Sequence, residues 1–520
     1  MGSMARNSLG REVPTEVWGM KFNAFKGAYA SKPRAGFQKA APLKCVLPGE
    51  NKVLPSLEES IKKCGIEDGD TLSFHHHFRS GDFVLNKVFD EIAKLGIKDI
   101  ELSPSSLHPI HKQVIPYIEQ GIITRISGST NGPIGEAVSC GVLADPVILR
   151  SHGGRARAIM DGELSIDAAF LAATAADEYG NMNGTSGPNA CGALGYAMMD
   201  ARYAKNVVAV TDNLVKYPLT PISIPQTNVD YVVKIDCIGN PEGIVSTTTK
   251  ITTDPLRLRI AKQTAQLIEA SGLMKDGLSL QTGAGGISLA ATYYVANIMR
   301  QKKIVGSFGS GGITGYFVEM LKEGLLKNLF DVQCFDLIAA KSIGENRNHI
   351  EISAEFYASP HTKGCIVNML DVGILGATEV DTDFNVNVAT EADGRLLHGI
   401  GGHQDVAAGA KLSIVTLPLI RGRLPSVVDR VMTVTTPGET IDAIITERGI
   451  AINPMNHELL ETVMKNNPHL HLCTIEELNE KCKRLVGMPE PIEFHDKIIG
   501  VVEYRDGTLL DVVWQPKLPK

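Results

Sequence analysis

The stretch DTLSFHHHFRSGD beginning at Asp70 shares its Asp, Leu and Ser with DGLSLQTGAGGIS beginning at Asp276, and DEYGNMN from Asp177 shares its Asp and both Asn with DTDFNVN from Asp381. Each match is short, but the steps from 70 to 276 and from 177 to 381 agree to within two residues. A chain that repeats two phrases at one spacing is held to two halves of like topology, divided in the region of Pro225 to Lys275. Inside a half the text is a βα rhythm. Strand-like DTLSF is followed by Val84, Leu85, Val88, Phe89, Ile92 and Leu95 at helical spacing, closed by Gly96; then come KDIELS, ITRIS and DPVILRS, each with turn residues and helix-like text behind it. That rhythm predicts an α/β fold with two similar, mainly parallel sheets, over residues 53–235 and 236–520. Ligands of such sheets sit beyond the carboxyl ends of strands, and a two-half molecule places its site in the crevice between halves.

Beyond about Asp442 the pattern changes to a tail, and IIGVVEYRDGTLLDVVWQ predicts a β-hairpin turning at Asp506-Gly507, fit to cover a sheet edge. Residues 1–52 are polar and aperiodic and predict an arm over a neighbour or a partly ordered lead-in; the opening MGSM (1–3 ahead of Met4) reads as an expression scar. At 520 residues, 43% hydrophobic and 21% charged, the composition is that of a folded protein with material for real cores. A net charge of −7 with no dense Lys/Arg run argues against nucleic acid, and no apolar run approaches the roughly 18 residues needed to cross a bilayer. Nine cysteines without a CxxC suggest neither a zinc site nor a disulfide framework and point to a reducing cytoplasm. The close cluster HLHLC, His469 to Cys473, has no fourth ligand nearby and reads as a half-buried strand.

The chemistry-bearing text lies in loops. GSFGSGGITGYFVEM, residues 306 to 320, runs through five glycines into an amphipathic helix, which fits an anion cradle or a closely packed βα turn equally. HHHFRSGD offers His75, His76, His77 and Arg79; three successive histidines make a poor common metal site, whereas Arg79 with one histidine suits a carboxylate. RSHGGRARAI adds His152, Gly153, Gly154 and Arg155 as a site or a structural turn. The second half contributes QTGAGG (Thr282, Gly283, Ala284, Gly285, Gly286), GSGGITG (Gly311, Gly312, Thr314), NHIEIS (His349, Glu351) and GIGGHQD (Gly401, Gly402, His403). No GxSxG elbow, GxxxxGK[ST] loop or GxGxxG in a βαβ unit is present, which leaves carboxylate or acyl chemistry served by backbone donors.

ADEYGNMNG, LQTGAGGISLA, ATEVDTDFNVNV and GIGGHQDVAAGA together resemble the coenzyme A transferase superfamily, and DTLSFHHHFRSGD, SHGGR and NHIEIS are similar more specifically to the citrate lyase alpha family, from about residue 50 to the C-terminus. The resemblance implies two CoA-transferase-like domains in a cytoplasmic, multimeric bacterial complex. Its partners would be a citryl lyase (beta) chain and an acyl carrier (gamma) chain bearing a phosphoribosyl-dephospho-CoA arm. It implies exchange of acetate for citrate on that arm or on free acetyl-CoA, with no cofactor bound covalently to this chain. Under it, His76, His77, Arg79, His152 to Arg155, His349, Glu351 and His403 would hold citrate, and Thr282 to Gly286, Gly311, Gly312, Thr314, Gly401 and Gly402 the thioester and its oxyanion. Typical superfamily members use a glutamate of the second half as nucleophile, and some place it directly after a Gly-rich turn, yet here Thr314 is followed by Gly315; Glu319, Glu345 and Glu351 are the remaining candidates, the first two reading as surface carboxylates. Without an enzyme nucleophile, citrate's own carboxylate would attack the acetyl thioester through a mixed anhydride. The alternatives are a conventional glutamyl CoA-transferase or acyl-CoA hydrolase, and a non-catalytic metabolite-binding regulatory domain.

Overall fold

The computed structural model describes residues 3–30, 46–47, 49–245, 250–487 and 489–517. Helix Val84–Leu95 shows how local text becomes structure: Val84, Leu85, Val88, Phe89 and Ile92 form its buried stripe, and Gly96, at φ 76, takes the left-handed cap that ends it. Strands such as AAFLAA (Ala168–Ala173) are buried along their whole length, as a parallel sheet covered on both faces requires.

The first sheet runs in space Ile123–Ile126, Ile100–Pro104, Thr71–Phe74, Ala168–Ala173, Asn206–Thr211, Tyr231–Lys234, Val53–Leu54, all parallel. The second runs His349–Glu351, Leu326–Cys334, Gly306–Ile313, Ser279–Thr282, Val372–Gly376, Leu412–Thr416, Ala443–Thr446, Gly449–Ile452, parallel except for its last pair. Six strands follow one order in both sheets, with the DTLS and DGLS strands in corresponding places; the sheets differ at their edges, where His349–Glu351 is added to the second and the far strand is Val53–Leu54, the earliest in sequence, in the first but Gly449–Ile452, the latest in sequence, in the second.

The second repeated phrase is a hydrogen-bonded turn built twice. Asp177 accepts from the Tyr179 and Asn181 amides at 3.0 and 3.1 Å and from Asn181 Nδ2, while Asn181 Oδ1 accepts from Gln226 N. Asp381 accepts from the Asp383 and Asn385 amides at 3.0 and 2.9 Å and from Asn385 Nδ2, while Asn385 Oδ1 accepts from Gly438 N. Asn183 and Asn387 each cap the two amides that follow. These residues recur because the turn needs their side-chain oxygens.

The arm and the tail come together. Strands Phe494–Glu503 and Leu509–Pro516 form the expected hairpin, and the first of them pairs in parallel with Val147–Leu149 of the first half. The arm is no loose lead-in in its described part: Met4–Arg6 pairs with Glu12–Pro14, Ala24 bridges to Leu509, and Val13 and Val17 are buried against Ile148, Val501 and Leu509. Its residues 31–45 lie outside the described residues. HLHLC makes a single bridge, Leu472 to Ile450, in place of the expected strand. Among the described residues no helix is long and apolar enough to cross a membrane.

Candidate functional site at the junction of the halves

A closed circuit of contacts joins the carboxyl ends of the central strands of both sheets. After strand Thr71–Phe74, His76 stacks on Tyr196 with ring centres 4.9 Å apart, and Tyr196 packs on His152 at 4.6 Å. The His152 amide donates to Gly401 O at 2.9 Å, and a side chain at Gly402 would run into the Tyr357 hydroxyl. Tyr357 Oη accepts from Gln281 Nε2 at 2.6 Å, and Gln281 packs on Gly311. Gly312 lies against the Phe335 ring, over which the Arg79 guanidinium sits 5.1 Å from the centroid. Arg79 N returns to His76 O at 2.9 Å, and Gln333 Nε2 from the second half donates to the same oxygen at 2.8 Å.

Unpartnered polar atoms gather around this circuit: Gln281 Oε1, Thr314 Oγ1 and the Nε2 atoms of His75, His77 and His108 are buried without hydrogen-bond partners among the described residues. Buried polar atoms are otherwise satisfied in folded proteins, so such a cluster marks a place for ligand atoms. Arg79 is held at φ 52 by its tight turn; among the described residues its guanidinium donates to Ile244 O at 3.3 Å and has no carboxylate partner. Burial draws its guanidinium below its usual pKa without neutralising it.

Other residues expected to bind a ligand are occupied. Arg155 is buried in an ion pair with Asp200 at 3.0 Å and donates to Ser73 Oγ and Ser103 O. Gly153 N is taken by Asp405 Oδ2 at 2.9 Å and Gly154 N by Ser151 Oγ at 3.0 Å, so the start of helix His152–Asp161 is already capped. His403 is bonded at both ring nitrogens, to Thr436 Oγ1 and Gly376 O. His349 lies between Ser342 Oγ and Asp331, each at 3.0 Å. Glu351 accepts from Leu194 N at 2.6 Å and Ser223 Oγ at 2.7 Å, so it clamps the two halves with both oxygens in use, and burial raises its pKa. Glu319 and Glu345 are exposed on helices beside Lys322 and Lys341.

The five-glycine stretch differs most from its expectation. GSFGSGGI is itself a strand, Gly306–Ile313, with a bulge at Gly311/Gly312, because the missing side chains admit Phe317 at Gly309, Gln281 at Gly311 and Phe335 at Gly312. Gly312→Ala would drive a methyl group into the Phe335 ring; we expect activity to fall at least about tenfold with a lower unfolding midpoint, checked by kinetics and thermal unfolding. QTGAGG remains the open loop. Thr282 ends its strand, Gly283 N bonds Ile374 O, Ala284 is half-buried, and Gly285 is exposed ahead of helix Gly286–Lys302, whose first turn has no side-chain cap. Amides without a partner among the described residues at the start of a 17-residue helix suit a developing negative charge.

Burial lowers His75 and His152 to a pKa of about 4 and His108 to about 3. In this window the unfolded chain protonates near the ordinary value of 6.5 and the folded chain does not, so the unfolded state binds more protons and stability is lost as pH falls from 6.5 towards about 4. Thermal unfolding midpoints measured across that range should fall steeply; a flat profile would contradict neutral, buried rings.

For metal binding, Asp331, Cys334 and His349 place ligand atoms within 4.8 Å of one another. Asp331 Oδ2 already accepts from the thiol at 2.9 Å and from His349 Nε2 at 3.0 Å, and burial beside Asp331 pushes the Cys334 thiol well up, so protons fill the places a metal would take. Sequence reasoning missed Tyr196, Tyr357, Gln333 and His108, which sit in no motif.

Residues 50–516 match the family model for the citrate lyase alpha subunit. The chain belongs to the citrate lyase alpha subunit family. The citrate lyase alpha chain of Klebsiella pneumoniae is 46% identical over 469 residues, covering 90% of this chain and 92% of that one. The alpha subunit of citrate lyase from Streptococcus mutans, solved in complex with citrate, superposes with a TM-score of 0.95 at 48% identity, covering 98% of this chain and 100% of that one. A 4-hydroxybutyrate CoA-transferase from Porphyromonas gingivalis shares the fold alone, at a TM-score of 0.53 and 16% identity over 83% of this chain and 97% of its own. Membership in the citrate lyase alpha family makes the chain an enzyme, the citrate CoA-transferase component of a multi-subunit citrate lyase.

Proposed function

We propose that the contact circuit is the centre at which citrate displaces acetate from a carrier thioester, with the substrate's own carboxylate as nucleophile. The observation that carries this reading is the set of carboxylates: none of the circuit's residues is a glutamate, Glu351 has both oxygens committed, and Glu319 and Glu345 are on the surface. Arg79, whose guanidinium meets no carboxylate among the described residues, holds a citrate carboxylate, assisted by the His76 and His152 rings. The thioester carbonyl meets the amides of Ala284 to Gly286, Gly283 N being taken by Ile374 O.

A citrate carboxylate oxygen attacks the acetyl carbon. The tetrahedral oxyanion is held by backbone N–H groups and collapses to a mixed anhydride with release of thiolate. The thiolate then attacks the citryl carbonyl of the anhydride and acetate leaves, so one thioester replaces another and no residue of the chain is acylated. The phosphoribosyl-dephospho-CoA arm of an acyl carrier chain supplies that thiol, free CoA being its simpler analogue; a lyase chain consumes the product, and the setting is cytoplasmic. The test is release of labelled acetate from acetyl-CoA on adding citrate. Citrate-dependent release supports the reading, and equal release without citrate contradicts it.

A further inference from the structure

The turn containing HLHLC forms a second grouping of cations that shares no residue with the contact circuit. Helix Pro255–Ala270 and the turn after helix His457–Asn466 flank a half-open cavity of about 330 Å³ whose walls include Arg259, Lys262, Gln263, His469 and His471. Local structure explains the convergence. Arg259, Lys262 and Gln263 fall at spacings of three and four, on one stripe of the helix. Asn466 Nδ2 donates to Ala270 O at 2.9 Å and ties the turn to the helix end. Leu470 and Leu472 pack on the second core, so the alternating histidines are left exposed, and His471 O accepts from Ile450 N of the edge strand Gly449–Ile452 at 3.0 Å.

No carboxylate lines this cavity. The helix's one acidic residue, Glu269, is paired with Lys302 at 2.6 Å, and Arg257 faces Asp254. The side chains of Arg259, Lys262, His469 and His471 form no ion pair or hydrogen bond among the described residues. Gln263 is only 8% exposed and its amide oxygen has no hydrogen-bond partner. An unpaired buried acceptor is costly, so a ligand that brings a donor to it gains more than a surface contact would.

We propose that this cavity binds a small hydroxylated polyanion, its anionic oxygens on Arg259 and Lys262 and its hydroxyl on Gln263. The volume is at the low end of the about 300–1,000 Å³ usual for small-molecule sites, which fits a pentose phosphate or a hydroxypolycarboxylate and is too small for a dinucleotide. The proposal does not depend on the assignment of the contact circuit.

The test is calorimetric titration of the intact chain with ribose 5-phosphate, citrate and inorganic phosphate, repeated with the Arg259→Ala/Lys262→Ala double variant and with Arg79→Ala. Both cations are exposed, so the double variant should fold. The expected result is saturable binding of ribose 5-phosphate, unchanged by Arg79→Ala, and of citrate in the Arg79→Ala background, where the contact circuit no longer holds it; adding the Arg259→Ala/Lys262→Ala pair weakens either at least about tenfold. Tighter ribose 5-phosphate identifies a phosphorylated ligand, and tighter citrate in the Arg79→Ala background a hydroxypolycarboxylate; either supports the site. In the Arg79→Ala background, binding that is absent up to about 10 mM, insensitive to adding the double variant, or equally tight for inorganic phosphate would overturn it.

Discussion

Arg79→Ala should lower kcat/KM for citrate by about 30- to 1,000-fold, corresponding to about 2–4 kcal/mol for removing a charged partner from a desolvated carboxylate. The KM for the thioester should change little, because the proposed mechanism gives the guanidinium to the citrate carboxylate and the thioester to backbone amides. Folding should survive: among the described residues the side chain makes one hydrogen bond, of 3.3 Å to Ile244 O, and sits over Phe335. Arg79→Lys keeps the charge and loses the fork, so it should fall between wild type and alanine. Initial-rate kinetics with each substrate varied decide the matter; an unchanged citrate KM and kcat, or equal loss for both substrates, would remove Arg79 from the citrate site.

Arg155→Ala should act on stability. Its guanidinium pairs with Asp200 at 3.0 Å and bonds Ser73 and Ser103, all in the interior of the first half. Removing one partner of a buried pair strands the other, at a cost of about 3–5 kcal/mol. Burial already raises the Asp200 carboxyl and Arg155 opposes that rise, so without the arginine Asp200 is left to protonate. The Arg155→Met/Asp200→Leu double variant should recover much of the loss, since neither charge then remains. Denaturant unfolding of the three proteins measures this. A stable Arg155→Ala chain with a selective citrate defect would show that Arg155 binds substrate.

These two arginines also show what was legible in the sequence. HHHFR and SHGGR look alike as text, each a histidine-arginine loop after a strand. Which arginine is free depends on Asp200, carried by a different helix, and nothing local announces that pairing. The parallel sheets and the terminal hairpin were readable because periodicity and turn chemistry are local properties. The two strand assignments that changed were decided by tertiary contacts. Phe317 and Phe335 make a strand of a glycine-rich segment with poor intrinsic propensity, and HLHLC contributes one bridge because its leucines face the core from a turn. Tyr196 and Tyr357 were illegible for the opposite reason: an aromatic on a short helix has the pattern of an ordinary core residue, and its hydroxyl becomes informative only beside Arg79 or Gln281. The missing glutamate after Thr314 was visible in the text, and its consequence is chemical.

That consequence is tested most directly by running citrate-dependent acetate release from acetyl-CoA in the presence of borohydride, then mapping every glutamate by mass spectrometry. The account predicts continued turnover and no reduced glutamate at Glu319, Glu345, Glu351 or elsewhere. Inactivation with one glutamate converted to its alcohol would show a covalent glutamyl thioester and contradict attack by citrate itself.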